Sequence, residues 1–321
     1  LKQTIESVEV GMPEKIKDVA VIGAGALGAV YASLLYEMDR DCVSFIASGE
    51  RYERLRQSGV VVNGKPYPIR TVRPDEGPEP AGLVMVAVKY HQLDEAVREI
   101  ANRVGKDTII LSVMNGIDSE ERLGAAYGMD KVLYAIALGI DALREGNSVR
   151  YTTQGRILFG EALNPEPSPG VAGVQDLFDR AGINYEVPAD MKAVMWFKFM
   201  INVGINQASA VLRGNYGVFQ KSREARDLME AAMREVVAVA QKLKVNLCAG
   251  DIEKFYPVLD SLSPDGKTSM LQDVEAGRKT EVEMLAGKLV ELGEQYGVPT
   301  PVNRELFRKI REIEKNYSPG G

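Results

Sequence analysis

Histidine is nearly missing from this chain of 321 residues: there is one, His91, beside only two cysteines, Cys42 and Cys248. A zinc centre of the common ligand types therefore lacks material. A histidine-based triad has a single candidate, with nothing around it that reads as a nucleophile elbow, and His91 is expected to be structural. The cysteines lie far apart in no CxxC pair, which argues against a disulfide scaffold and suits a reducing cytoplasm. Positive charge is not in excess either. Thirty-nine basic residues against 45 acidic ones leave a formal net charge of −6, which speaks against nucleic acid or an anionic membrane as the main partner. An apolar signal core is missing from the start of the chain, "LKQTIESVEVGMPEKIKD", so residues 1–17 are expected to be a surface extension. The longest apolar run, residues 193–212, carries Lys198, Asn202, Asn206 and Gln207. Those groups would be costly in lipid, and no membrane span is expected.

What is present is the composition of a soluble globular protein, 45% hydrophobic and 26% charged. The length favours two domains. From about residue 18 to 187, short β-branched runs alternate with helical stretches: "DVAVIG" (18–23), "CVSFIA" (42–47), "LVMVAV" (83–88), "TIILSV" (108–113) and "KVLYAIAL" (131–138) are strands with helices between them. That spacing predicts a parallel sheet covered by helices on both faces. "VRYTTQGRILFG" (149–160) is expected to form an antiparallel pair, and a last strand ends at "INYEV" (183–187). Beyond Pro188 the pattern is helical, with helices expected near 190–213, 219–244, 249–262, 266–296 and 302–316. The predicted fold class is α/β: a Rossmann-type dinucleotide-binding domain over 1–187, followed by an all-helical catalytic domain over 188–321.

The first strand runs into a GxGxxG loop, Gly23-Ala24-Gly25-Ala26-Leu27-Gly28, and an apolar helix leaves it. Gly23 permits the tight turn, Gly25 lets the backbone approach a pyrophosphate, and Gly28 lets helix and strand pack closely. The helix N-terminus then offers free amides to phosphate. At the end of the second strand an NAD site usually places an acid. Here Ala47 and Ser48 stand there, with Arg51 and Arg54 following. Ser48 and Arg51 are the candidates for a 2′-phosphate, which favours NADP(H) and leaves NAD(H) open. A bound flavin is disfavoured, because no late strand ending in Gly-Asp follows.

In the second half, Lys198, Asn202 and Asn206 recur every four residues in an otherwise apolar helix. In an α-helix such residues share one face, drifting about 40° per step. Ser209 falls on the same stripe. A buried lysine needs an anion or loses its charge. The segment 267–290 offers Ser269, Asp273, Arg278 and Glu281, with Glu283 two residues after Glu281, and spacing alone does not choose between the two glutamates.

In order along the chain, "GAGALG", "AVKYHQ", "VMNGID", "WFKFMINVGINQASA" and "TSMLQDVEAGRKTEVE" resemble the motifs of the ketopantoate reductase (2-dehydropantoate 2-reductase) family. The resemblance covers about residues 18–310. It implies that Lys89 contacts the cofactor and that Asn115 lies near nicotinamide and substrate. It further implies that Lys198 is the catalytic lysine, that Asn202, Asn206 and Ser269 bind substrate, and that Glu281 is essential. The activity implied is NADPH-dependent reduction of ketopantoate to pantoate in pantothenate biosynthesis. Ala47 departs from the family, whose members often carry an arginine there. Rival readings are a related dehydrogenase of another 2-oxo or 3-hydroxy acid, and a non-catalytic NADP(H)-binding protein. The expected partner is a small 2-oxo acid, and the C-terminal helices offer a surface for a homodimer.

Overall fold

The computed structural model describes residues 15–76 and 79–317. Most of the expected N-terminal extension lies outside them. The chain divides into two compact units: one runs to Met114 and resumes over Ser119–Met191, and the other comprises Asn115–Asp118 and the chain from Lys192 onward.

The first unit is built on an eight-stranded sheet. Its strands are β1 (Val19–Ile22), β2 (Val43–Ile46), β5 (Arg70–Val72), β6 (Leu83–Val86), β7 (Ile109–Ser112), β8 (Val132–Leu138), β11 (Arg156–Gly160) and β12 (Tyr185–Glu186), in the order β12-β11-β8-β7-β6-β1-β2-β5. The pairs from β8 through β5 are parallel, and β11 runs antiparallel to β8. Helices α1 (Ala26–Met38), α2 (Gly49–Ser58), α3 (Leu93–Glu99), α4 (Ser119–Tyr127) and α5 (Pro169–Ala181) connect the strands.

Alternation along β1 explains why both faces are covered. Val19 and Val21 join a core with Ala29, Val30, Leu35, Val174 and Phe178 from α1 and α5. Ala20 and Ile22 join a second core with Leu93, Ala96 and Leu123 from α3 and α4. With a two-residue side-chain period, a strand covered on both faces has apolar residues at successive positions, as β1 and β6 do. The order reverses at β1, between β2 and β6, and in open α/β sheets ligands bind at such a switch point.

A second, four-stranded sheet has the order β4-β3-β10-β9, from β3 (Val60–Val62), β4 (Lys65–Tyr67), β9 (Leu143–Glu145) and β10 (Ser148–Arg150). It corrects one expectation: the two halves of 149–160 do not pair with each other. β10 pairs antiparallel with β9, while β11 pairs with β8 in the main sheet. Val149 of β10 and Ile157 and Phe159 of β11 reach the same core, but their backbones pair into different sheets, so the residues between them are a crossover and not a hairpin turn.

The second unit is helical: α6 (Met191–Ile201), α7 (Gln207–Leu212), α8 (Tyr216–Lys221), α9 (Arg223–Lys242), α10 (Gly250–Glu253), α11 (Tyr256–Ser261), α12 (Ser269–Glu275), α13 (Lys288–Tyr296) and α14 (Pro301–Lys315). No helix among the described residues is long and apolar enough to cross a membrane. Three expectations need correction. The helix expected over 249–262 is two short ones, α10 and α11, parted by a turn at Lys254 and Phe255. The helix expected over 219–244 is interrupted at Ser222, whose hydroxyl caps α9 by accepting from the Ala225 N–H. The helix expected over 266–296 stops at Glu275. There Gly277 adopts a left-handed φ of 64°. The Arg278 N–H donates to the Asp273 carbonyl at 2.8 Å and the Gly277 N–H to the Val274 carbonyl at 3.2 Å. This is a Schellman stop, which the sequence "EAGR" signals through its glycine.

Candidate active site

The glycine loop leaves β1 at the switch point. Gly23 has φ +102°, and a Cβ there would lie 2.5 Å from the Ala87 carbonyl oxygen at the end of β6. A Cβ on Gly28 would fall 1.9 Å from the Gly23 carbonyl oxygen. Both positions are therefore closed to side chains by backbone. Gly25 differs: its Cβ would meet only the Ala87 oxygen, at 3.7 Å. That open space lies at the N-cap of α1, where no side chain caps the helix and no acid occupies the first turn. The free amides and the positive helix end fit a pyrophosphate. Ala24, Ala26 and Leu27 are half-buried around it.

The two residues expected to take a 2′-phosphate are already engaged. Ser48 hydrogen-bonds Glu99 of α3. Arg51 pairs with Glu95 at 2.8 Å and with Glu99 at 3.8 Å. Lys89 is exposed at the end of β6, where its backbone N–H donates to Gln92 Oε1 at 3.3 Å, and His91 is exposed one turn on.

In the helical unit the stripe departs from the expected straight helix. Asn202–Asn206 is π-helical, inserted between α6 and α7. Bonding from i to i+5 needs more than four residues per turn, so a residue four on falls short of a full turn. In an α-helix it overshoots. Lys198 to Asn202 advances one way and Asn202 to Asn206 turns back, which straightens the stripe. Gly204, inside this segment, is where α9 comes closest: a Cβ there would lie 2.6 Å from Met233 side-chain atoms and 3.1 Å from the Met229 carbonyl oxygen. Asn202 and Asn206 are half-buried, and among the described residues their amides bond to no protein group. Ser209 turns away from the stripe. It is fully buried and shares a 2.7 Å hydrogen bond with Thr268, the cap of α12. Gln207 is buried as well, its Nε2 donating to Val203 and Asn303 while its Oε1 meets no partner among the described residues.

Glu281 stands in the bend after the Schellman stop, just before a second π-helical segment, Glu283–Gly287. The preceding Thr280 fixes that bend by giving Glu314 its backbone N–H at 2.8 Å and its hydroxyl at 2.7 Å. Arg311 bridges Glu314 and Glu283. Asn115 Nδ2 donates to Glu281 Oε2 at 3.2 Å. Beside it Gly116, with φ +99°, rests on Met284: a Cβ would lie 2.9 Å from that side chain. Of the two glutamates left open by the sequence, Glu281 is the one whose charge bears on Lys198.

Lys198 is half-buried. Loss of hydration pushes its ammonium down to about 8, and Glu281 holds it up against that loss. Asn115, Lys198 and Glu281 thus form one constellation within the helical unit, with Asn202 and Asn206 on the same segment as the lysine. Ser269 is exposed as the first residue of α12 and is not tied to them by any hydrogen bond.

Two family descriptions match the chain. "Ketopantoate reductase PanE/ApbA" matches residues 19–164, and its C-terminal counterpart matches residues 190–314. The chain belongs to the ketopantoate reductase family. A 2-dehydropantoate 2-reductase of Archaeoglobus fulgidus is 28% identical over 301 residues, covering 94% of this chain and 99% of the relative. The solved 2-dehydropantoate 2-reductase of Methylococcus capsulatus is 26% identical at a TM-score of 0.80, covering 94% and 98% of the two chains. A D-mandelate dehydrogenase solved with NADH and anilino(oxo)acetate shares the fold, at TM-score 0.83 and 22% identity over 94% of this chain and 99% of that one. This ketopantoate reductase family member is an oxidoreductase of 2-oxo or 2-hydroxy acids that uses a nicotinamide dinucleotide.

Proposed function

We propose that the protein reduces the C2 carbonyl of a 2-oxo acid, with Lys198 as the general acid, ketopantoate as the leading substrate and NADP(H) as the preferred coenzyme. The observation that carries this reading is the half-buried lysine brought down to about 8 beside Glu281. The bound coenzyme supplies a hydride to the carbonyl carbon. As that bond forms, the C=O π pair moves onto oxygen, and the Lys198 ammonium stabilises the developing charge and gives it a proton. The product is a 2-hydroxy acid, and Lys198 is left neutral until water reprotonates it. Glu281, oriented by Asn115, keeps the ammonium charged against its desolvation. The Asn202 and Asn206 amides offer donors to the substrate carboxylate and acceptors to a hydroxyl without adding charge. Reaction requires the donor and acceptor carbons to come within about 3–3.5 Å.

A second reading keeps the chemistry and changes the acid. A neighbour at TM-score 0.83 carries an anilino(oxo)acetate, so an aryl-bearing 2-oxo acid is the rival substrate. The two readings separate in a panel of ketopantoate, phenylglyoxylate and smaller 2-oxo acids, assayed by NADPH and NADH oxidation. Ketopantoate is expected to give the highest kcat/KM. Preference for phenylglyoxylate would transfer the assignment to the rival, and no turnover on any 2-oxo acid would remove both.

A further inference from the structure

Two basic residues of the dinucleotide-binding unit differ from Ser48 and Arg51 in having no carboxylate partner among the described residues. Arg144 stands on β9, in the small sheet. The parallel pairing of β10 with β3 carries its hairpin to the glycine loop, 120 residues away in sequence. Its Nη1 donates to the Ala24 carbonyl at 2.6 Å and its Nε to the Gly146 carbonyl at 2.8 Å. The first bond ties the guanidinium to the glycine loop and the second to its own hairpin turn, while its Nη2 bonds to no other described residue. Arg54, exposed on α2, forms no ion pair among the described residues. Burial and the neighbouring charge of Arg54 both depress the ionisation of Arg144. Arg144 is fixed beside the glycine loop by its bond to Ala24, and the charge of Arg54 acting on it is a cost that an anion relieves. By contrast, a phosphate arriving at Ser48 and Arg51 would meet the carboxylates of Glu95 and Glu99.

Resting on the coenzyme assignment above, we infer that Arg144 and Arg54, rather than Ser48 and Arg51, form the clamp for a phosphate group of the dinucleotide. Two phosphates share this chemistry, the 2′-phosphate and the pyrophosphate, and the two coenzymes distinguish them. A guanidinium held at Nε and Nη1 keeps its plane fixed and leaves Nη2 to offer to a phosphate oxygen.

The test is calorimetric titration of NADPH and NADH into Arg54→Gln, Arg144→Lys and Arg51→Gln, without substrate, so that it stands apart from turnover. Arg54→Gln and Arg144→Lys are expected to weaken NADPH by about tenfold to a hundredfold, the range for losing a charged hydrogen bond. Arg51→Gln is expected to change its Kd by less than about threefold, an exposed ion pair being worth little. Loss confined to NADPH assigns the clamp to the 2′-phosphate, and equal loss for NADH assigns it to the pyrophosphate. Unchanged binding of both coenzymes by Arg54→Gln and Arg144→Lys would overturn the proposal, as would a larger loss in Arg51→Gln. Arg54 is exposed and away from the Ala24 bond, so its variant keeps the test valid if Arg144→Lys disturbs the loop.

Discussion

The two units offer chemistry through different parts of the polypeptide. In the first, the candidate site is backbone: Gly25 leaves space at the helix N-terminus, and the loop holds its shape because Gly23 and Gly28 lie against carbonyl oxygens. In the second, the candidate site is made of side chains, and the backbone aims them, by way of two π-helical segments and a Schellman stop. The difference teaches where substitutions should be graded and where they should be abrupt. A backbone site tolerates nothing that adds a Cβ in the wrong place. A side-chain site can be altered one function at a time.

The largest expected effect is chemical. Lys198→Ala should lower kcat by about 10²–10⁴, the usual worth of a positioned general acid, while leaving the Kd for NADPH unchanged. Near wild-type turnover would end the acid assignment, and a lost coenzyme affinity would blur the comparison between the units. Gly28→Ala should do the opposite. Its Cβ would lie 1.9 Å from a backbone oxygen that has no rotamer to escape into. A destabilisation of about 1–3 kcal/mol, read by denaturant titration, should accompany weaker binding of NADPH and NADH alike.

Lys198 also sets a pH window. Its folded value of about 8 lies below the unfolded value, which is about 10.4. As an acid it must be protonated, so reduction should be flat below pH 8 and fall as pH rises through it. Oxidation of the hydroxy acid needs the neutral amine and should rise through the same value. The stability sign follows from proton binding. Between the two values the unfolded chain holds the proton more tightly, so the burial penalty is full below pH 8 and fades towards pH 10.4. Lys198→Met should therefore raise Tm at pH 7, with the gain vanishing at high pH. A kcat profile without an inflection near 8 would count against the site's electrostatics.

These outcomes bear on what a sequence discloses. The glycine loop was legible because its chemistry is local: strand, GxGxxG and helix are contiguous, and the reasons for each glycine are steric. Lys198, Asn202 and Asn206 were legible as a polar stripe in an apolar segment, although the π-helical turn that aligns them was not. No residue type announces i→i+5 bonding, and the close approach of α9 at Gly204 is a contact between segments that periodicity does not show. The choice of Glu281 over Glu283 depended on Thr280 being tethered to Glu314, a contact across more than thirty residues. Ser209 looked equivalent to the stripe until Thr268 claimed it. Arg144 gave no signal at all: its place beside Ala24 follows from the pairing of β10 with β3, which periodicity does not reveal.

The smallest effect expected is at Gly204, where two terms oppose each other. Alanine is favoured over glycine in a helix interior by about 1 kcal/mol. Against that, its Cβ would press on Met233 at 2.6 Å and on the Met229 carbonyl at 3.1 Å. Met233 is flexible and gives way at small cost, but the carbonyl belongs to α9 and moves only with the helix. Overpacking of this kind costs about 1–3 kcal/mol, so Gly204→Ala should be net destabilising by about 0–2 kcal/mol. The more telling readout is KM. If the approach of α9 holds the π-helical turn in place, displacing it shifts Asn202 and Asn206 together, and KM for the oxo acid should rise with the coenzyme Kd unmoved. Shortening the opposing side chain, in Gly204→Ala with Met233→Ala, leaves the Met229 carbonyl contact in place, so KM should stay raised. An unchanged KM in Gly204→Ala would mean that the turn is intrinsic to the segment and that α9 merely follows it.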